Sequence, residues 1–218
     1  MARDFNGTDQ YLSNASAVVT AAPFTMACFF NRDDDVGSES LISIGDTATS
    51  DNYWDLRTSP AGGQQVRLSV NDGGTAVSAV TTTGYSVGTW HHACCIEVSN
   101  TERYVFIDGG SKDDCLLDRS PAGADTTSIG VRLTSTTAFF FNGRIAFPAI
   151  WNAALTDAEV LALASGISPL RVRPQNLMSF WPLFGDASPE SDFSGGQFPM
   201  SLTGTPVVAD PVGGIGPM

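Results

Sequence analysis

Positive charge is scarce in this chain. Eleven Lys and Arg stand against 23 Asp and Glu, a formal charge of −12, and no basic cluster offsets it locally. Such a surface repels phosphate backbones, which excludes nucleic acid as a partner. Acidity also suits a soluble protein displayed at high local density, or carboxylate loops for divalent cations, and the blander account is solubility alone. Long apolar runs are missing as well. No stretch nears the roughly 18 residues of a membrane span, and Met1 to Phe5 lead into polar residues, not an apolar leader. The expectation is a chain with no membrane segment and no secretory signal. Cysteine is sparse: Cys28, Cys94, Cys95 and Cys115 are few for a disulfide scaffold, and three of them lie in apolar strand contexts. Buried thiols are expected, with a Cys28 to Cys95 or Cys115 bridge as the alternative. Adjacent Cys94 and Cys95 point to opposite faces of a strand and cannot grip one metal together. Glutamate is limited to Glu39, Glu97, Glu102, Glu159 and Glu190, each isolated, so a Glu-x-Asp-x-x-Glu strand of the kind that serves glycoside hydrolysis is absent.

What is present suits many short strands. Hydrophobic residues make up 42% and charged residues 16%, enough apolar material for one core in 218 residues. Gly, Thr, Ser and Phe are frequent, which favours strands joined by tight turns over a helical bundle. Period-two alternation over 90–98 sets Trp90, His92, Cys94, Ile96 and Val98 on one face and His91, Ala93, Cys95 and Glu97 on the other, a half-buried strand. Ser99-Asn100-Thr101 turns it into Tyr104 to Ile107, and Asp108-Gly109 turns the chain again.

Further strands are expected at 5–12, 23–30, 40–44, 53–57, 65–70, 75–82, 139–147 and 177–183, with an exposed loop over 31–39. One short surface helix is expected where Thr156 and Glu159 form a capping box, Val160, Leu161 and Leu163 follow, and Gly166 supplies a left-handed end. The tail 205–218, rich in Pro and Gly, reads as extended. Neighbouring His91 and His92 project to opposite faces, so a structural role is favoured for them, with His92 inward beside Trp90 and bonded to backbone. The candidate surface site is Asp33, Asp34 and Asp35 together with Asp51, Tyr53 and Trp54: carboxylates hold calcium or sugar hydroxyls, and an exposed Tyr or Trp stacks on a pyranose. Against it, Trp54 could be core and the Asp run a solvated loop.

The ordered segments Phe5 to Leu12, Pro23 to Phe30, Gly88-Thr89-Trp90-His91-His92, Val105 to Gly109 and Asn142 to Val160 resemble the laminin-G-like branch of the concanavalin A-like lectin/glucanase superfamily. The resemblance implies an all-β, two-sheet antiparallel jelly-roll sandwich that binds rather than transforms its ligand. Phe180 to Asp186, Asp192 to Gly196 and Leu202 to Thr205 look like the segment that usually opens such domains, yet here it comes last. That implies one domain over 1–204, in which 177–204 completes the sandwich. The same order is similar to that of stand-alone proteins of tailed bacteriophages. It implies a non-enzymatic virion protein, a capsid decoration or tail component assembled in a host cytoplasm, homo-oligomeric, with shell or tail proteins and glycans as partners. A free carbohydrate-binding module is the alternative. No cofactor is implied: relatives carry an acidic pair where this chain has Ile145-Ala146-Phe147, so a family calcium site is not carried over, and calcium is left only to the Asp loops.

Overall fold

A computed structural model of the protein describes residues 2–60, 62–184 and 188–204. Fourteen of its strands build two antiparallel sheets. The first contains β1 (Arg3–Asn6), β3 (Phe24–Arg32), β8 (Trp90–Ser99), β9 (Glu102–Ile107), β10 (Gly110–Cys115), β14 (Asn142–Trp151) and β15 (Leu177–Phe180). The second contains β2 (Tyr11–Asn14), β4 (Glu39–Gly45), β5 (Asn52–Ser59), β6 (Gln65–Asp72), β7 (Val77–Val80), β11 (Thr126–Ile129) and β16 (Ser201–Thr203). A small hairpin, β12 (Arg132–Leu133) with β13 (Thr137–Ala138), and one helix, α1 (Asp157–Ala164), complete the described elements, apart from two short 3₁₀ turns.

Strand order is β1-β14-β3-β8-β9-β10 in the first sheet and β16-β2-β11-β4-β5-β6-β7 in the second. The edge of β14 is shared: Asn142 to Ile145 pair with β1, and Ala149 to Trp151 pair with β15. β16 pairs with β2 in the other sheet, so the C-terminal segment adds one strand to each layer. Buried Arg3 donates to Glu190 at 2.8 Å and ties β1 to the segment between β15 and β16. Trp181, fully buried, donates its indole N–H to the Phe198 carbonyl at 2.7 Å.

The inner faces meet in one apolar core. Met26, Cys28 and Phe30 from β3 and Ala93 and Cys95 from β8 face Ile42, Ile44, Trp54, Leu56, Leu68 and Val70 from the second sheet. A second apolar layer lies on the outer face of the first sheet, where Ala27, Cys94, Ile96, Phe106 and Trp151 pack under Val160 and Leu163 of α1. For this reason β8 is not half-buried. Everything from His92 to Glu97 is inside, and the two faces are exchanged relative to expectation: Ala93 and Cys95 face the second sheet, while the face of His92, Cys94 and Ile96, expected to point inward, is the outer one and lies under the helix. Helix α1 starts on the expected capping box: Thr156 and Glu159 exchange both bonds, and Gly166 follows at φ +88°.

Several boundaries differ from expectation. Residues 5–12 form parts of two strands in different sheets, since the turn at Asn6 to Gln10 carries the chain from β1 to β2. Asn31, Arg32 and Glu39 are buried strand residues rather than loop, held by an Arg32–Glu39 ion pair of 2.8 Å. Phe139, Phe140 and Phe141 precede β14 instead of starting it. All four cysteines are free and buried, with Cys94 and Cys95 on opposite faces. The tail 205–218 lies outside the described residues, and among those described no helix is long and apolar enough to cross a membrane.

Candidate functional site

The six residues singled out in the sequence fall in four places. Asp33, Asp34 and Asp35 occupy the turn after β3, where Asp34 accepts from the Val36 N–H at 2.9 Å and Asp35 accepts from Gln64 at 2.7 Å. The Val36 bond comes first among the causes that hold Asp34 below the usual carboxylate range, followed by Asn142 and Arg32. Asp51 is half-buried at the start of β5, and its carbonyl accepts from Gly73 at 2.8 Å. Gln64, the partner of Asp35, adjoins the Ser59–Gln65 end of the β5–β6 pair, whereas Asp51 adjoins the Asn52–Asp72 end. Eight residues of strand, roughly 26 Å, separate them. Trp54 is a core residue, edge-on to Phe24 at 5.5 Å. Tyr53 is buried on the opposite face beneath a guanidinium. Among the described residues no three His, Cys, Asp or Glu side chains gather to hold a metal ion.

The outer face of the second sheet does gather functional groups. Alternation in β5 and β6 turns Trp54, Leu56, Val66, Leu68 and Val70 inward, which leaves Tyr53, Asp55, Arg57, Arg67 and Ser69 on the other side. Register then sets Asp55 opposite Ser69 and Arg57 opposite Arg67. The β12–β13 hairpin, packed beside β4, brings Arg132 and Phe139 over the same patch. The Arg132 guanidinium stacks on Tyr53 and on Phe139, 4.5 Å from each ring centre, and Arg57 stacks on Phe139 at 4.7 Å. Phe139 holds φ +61°, a left-handed backbone that a phenylalanine adopts only under constraint.

Charge at this patch is unbalanced. The patch holds three guanidiniums and one carboxylate, Asp55, which lies 3.6 Å from Arg57 and accepts from the Ser40 hydroxyl at 2.6 Å. Among the described residues no carboxylate lies within ion-pair distance of Arg67 or Arg132. Burial pushes the Asp55 carboxyl up, against the pull of Arg57, Ser40 and Arg132. Burial first, and then the neighbouring Arg57 charge, pushes Arg67 down. Asp55 Oδ2, Ser69 Oγ and the Nε atoms of Arg57, Arg67 and Arg132 are buried without a hydrogen-bond partner. Polar groups in that state are destabilising by about 1–3 kcal/mol each unless something satisfies them. The arrangement is suited to receiving an anion: planar donor forks held by aromatic rings match a carboxylate bidentately.

Sequence reasoning did not single out Arg57, Arg67, Arg132 or Phe139. The outward alternation of Gln65, Arg67 and Ser69 was readable, but the approach of Arg132 from a separate hairpin was not.

Two seven-stranded antiparallel sheets, stacked over one core and carrying a polar outer face with a fringe of loops, define a jelly-roll sandwich of the lectin kind. The chain belongs to the concanavalin A-like lectin/glucanases superfamily, whose Laminin_G_3 profile matches residues 6–161. Solved structures share the fold. The CBM40 module of the Ruminococcus gnavus IT-sialidase is 17% identical over 75% of this chain and 96% of that one, with a TM-score of 0.61. A heptameric SAP-like pentraxin from Limulus polyphemus is 14% identical over 77% and 83%, TM-score 0.60. Domain 4 of AbnA, a GH43 extracellular arabinanase from Geobacillus stearothermophilus solved with arabinotriose, is 19% identical over 68% and 70%, TM-score 0.56. No curated protein matches the chain.

Proposed function

We propose that the protein is a lectin-like module that binds an acidic saccharide on the outer face of its second sheet. The observation that carries this reading is the gathering of Arg57 and Arg132 at a single carboxylate, with Arg67 opposite Arg57, in a chain of net charge −12. An unrelieved cluster of like charges is destabilising, whereas a ligand carboxylate would pair with the forks and satisfy them. Phe139 and Tyr53 fix the guanidinium planes, so little side-chain freedom is lost on binding. The fold is shared with the CBM40 module, which has also been solved with α2,3-sialyllactose bound, and that agrees with a sugar acid as ligand.

The test is calorimetric titration of the protein with 3′-sialyllactose, galacturonic acid oligomers and neutral lactose. Acidic sugars should bind and lactose should not, and Arg67→Ala or Arg132→Ala should each weaken binding by about tenfold or more. Equal affinity for neutral and acidic sugars, or binding untouched by both substitutions, would remove the reading. Display on a virion, expected from the order of the segments, rests on that order alone, since the relatives named above are a pentraxin and two domains of carbohydrate-active enzymes. Glycan binding therefore comes first and multivalent display second. Light scattering would test the latter through a closed oligomer.

A further inference from the structure

The opposite side of the molecule carries a second hollow that the glycan face does not explain. One rung across β14, β3 and β8 reads Ala149, Ala27 and Cys94, all small. The rung beside it toward the β3 C-terminus is built on Phe29 opposite His92, and Trp151 stands on the other side. This step in side-chain height leaves a cavity of about 310 Å³ on the outer face of the first sheet, roofed by the turn after α1. Aromatic rings dominate its wall: Phe29, Phe147, Trp151, Phe180, Phe184 and Phe193. Among the described residues no Asp, Glu, Lys or Arg lines it. Of the polar side chains that line it among the described residues, Trp151 donates its indole N–H to the Val172 carbonyl at 2.9 Å and Ser168 accepts from the Leu170 N–H at 3.4 Å.

The other is His92. Its side chain is 2% exposed and lies edge-on to Phe29 at 5.0 Å, and Nδ1 is buried with no partner. The expected bond from its ring to the backbone is not made. Only its main chain is engaged: the N–H donates to the Asp108 carboxylate and the carbonyl accepts from the Asp108 N–H, each at 2.8 Å. Burial, against the pull of Asp108, pushes the imidazole down to about 4, so at neutral pH the ring is uncharged and offers one donor and one acceptor. A polar group sealed into apolar surroundings without a partner is unusual in a folded protein and points to a missing partner. Water is a poor one here, because it needs two to four polar contacts and the wall supplies too few.

We propose that this hollow binds a small, flat, uncharged aromatic molecule with one hydroxyl group, a phenol or naphthol, which stacks among the phenylalanines and hydrogen-bonds to His92. Size agrees, since a dry cavity of about 150 Å³ already takes benzene and ligand pockets begin at about 300 Å³. The mouth agrees as well: Ile167, Leu170 and Phe193 leave 42%, 43% and 47% of their surface exposed around it, an apolar entry path. The site is independent of the arginine face, so either can fail alone.

The experiment is titration of the full chain with 1-naphthol and with naphthalene, by calorimetry and by amide NMR shifts. Naphthol should saturate one site and shift Leu163, Ile167 and His92, and naphthalene should bind about tenfold more weakly for want of the hydroxyl. His92→Phe should bring naphthol down to the naphthalene level. Ala27→Leu should fill the hollow and abolish binding of both, and Ile167→Trp, at an exposed position, should block the mouth without burdening the fold. No saturable naphthol binding by the unaltered chain, equal affinities for the two probes, or binding that survives both blocking substitutions would overturn the proposal.

Discussion

Replacing His92 by Phe should make the protein's stability markedly less sensitive to mild acid. In the folded chain the imidazole is held down to about 4 by burial, whereas in the unfolded chain it returns to its ordinary 6.5. Below 6.5 the unfolded state therefore binds a proton that the folded state refuses, and stability falls with pH until the folded value is reached. Each pH unit inside that window is worth about 1.4 kcal/mol, so the loss is about 2 kcal/mol at pH 5 and about 3 kcal/mol at pH 4. For a chain of this size the former corresponds to roughly 4–8 °C in Tm. Glu39, Asp55 and Glu97, pushed up by burial, act in the opposite sense as pH falls, while Asp34, Asp108 and Glu159 are held low and lose their stabilising contribution as pH falls. These groups are common to both proteins, so the difference between them isolates His92. Urea denaturation of wild type and His92→Phe at pH 7, 6 and 5, with His91→Gln as a control, measures it. Parallel stability curves for wild type and His92→Phe from pH 7 to 5 would refute the reasoning, because they would mean that the ring charges without cost.

Other expectations follow from buried contacts. Arg103 and Glu97, both essentially inaccessible, meet at 2.9 and 3.1 Å, so Glu97→Gln should be destabilising by about 3 kcal/mol in chemical denaturation by leaving a buried guanidinium without its counter-charge. Gly143 sits at φ +134° with the Asn31 carbonyl 2.3 Å from where a Cβ would lie, so Gly143→Ala should lower stability by at least about 2 kcal/mol and lower the melting temperature in calorimetry. Burial pushes the Cys28, Cys94 and Cys95 thiols up, and a thiol-specific chromogenic reagent at pH 8 should leave these three unmodified in the native protein but titrate all four thiols in guanidinium.

Local signals carried much of the fold. The alternation from Trp90 to Val98, the Ser99 to Thr101 turn, the capping box at Thr156 and Glu159 and the left-handed Gly166 each concern residues within a few positions of one another, where period and turn chemistry act directly. Alternation tells which residues share a face but not what covers that face. That is why β8 read as half-buried, although α1, some 60 residues later in the chain, lies over its outer side. The aspartate-rich loops attracted notice as sites because their composition stands out, yet Asp34 and Asp35 are engaged with Val36, Asn142 and Gln64, and Trp54 is core.

By itself, then, the sequence determined an all-β sandwich, its hairpins and its helix ends, because propensity, period and composition are properties of short stretches; that the four thiols are free was decided by the structure. Only the tertiary structure decided which of those stretches meet. It brought Arg132 across from its own hairpin to Arg57, Arg67 and Phe139, and it set small Ala27 beside an unpartnered His92 beneath a helix turn. Binding sites of this kind are made by side chains far apart in the chain, and their convergence is fixed by sheet register and layer packing, which no local pattern records.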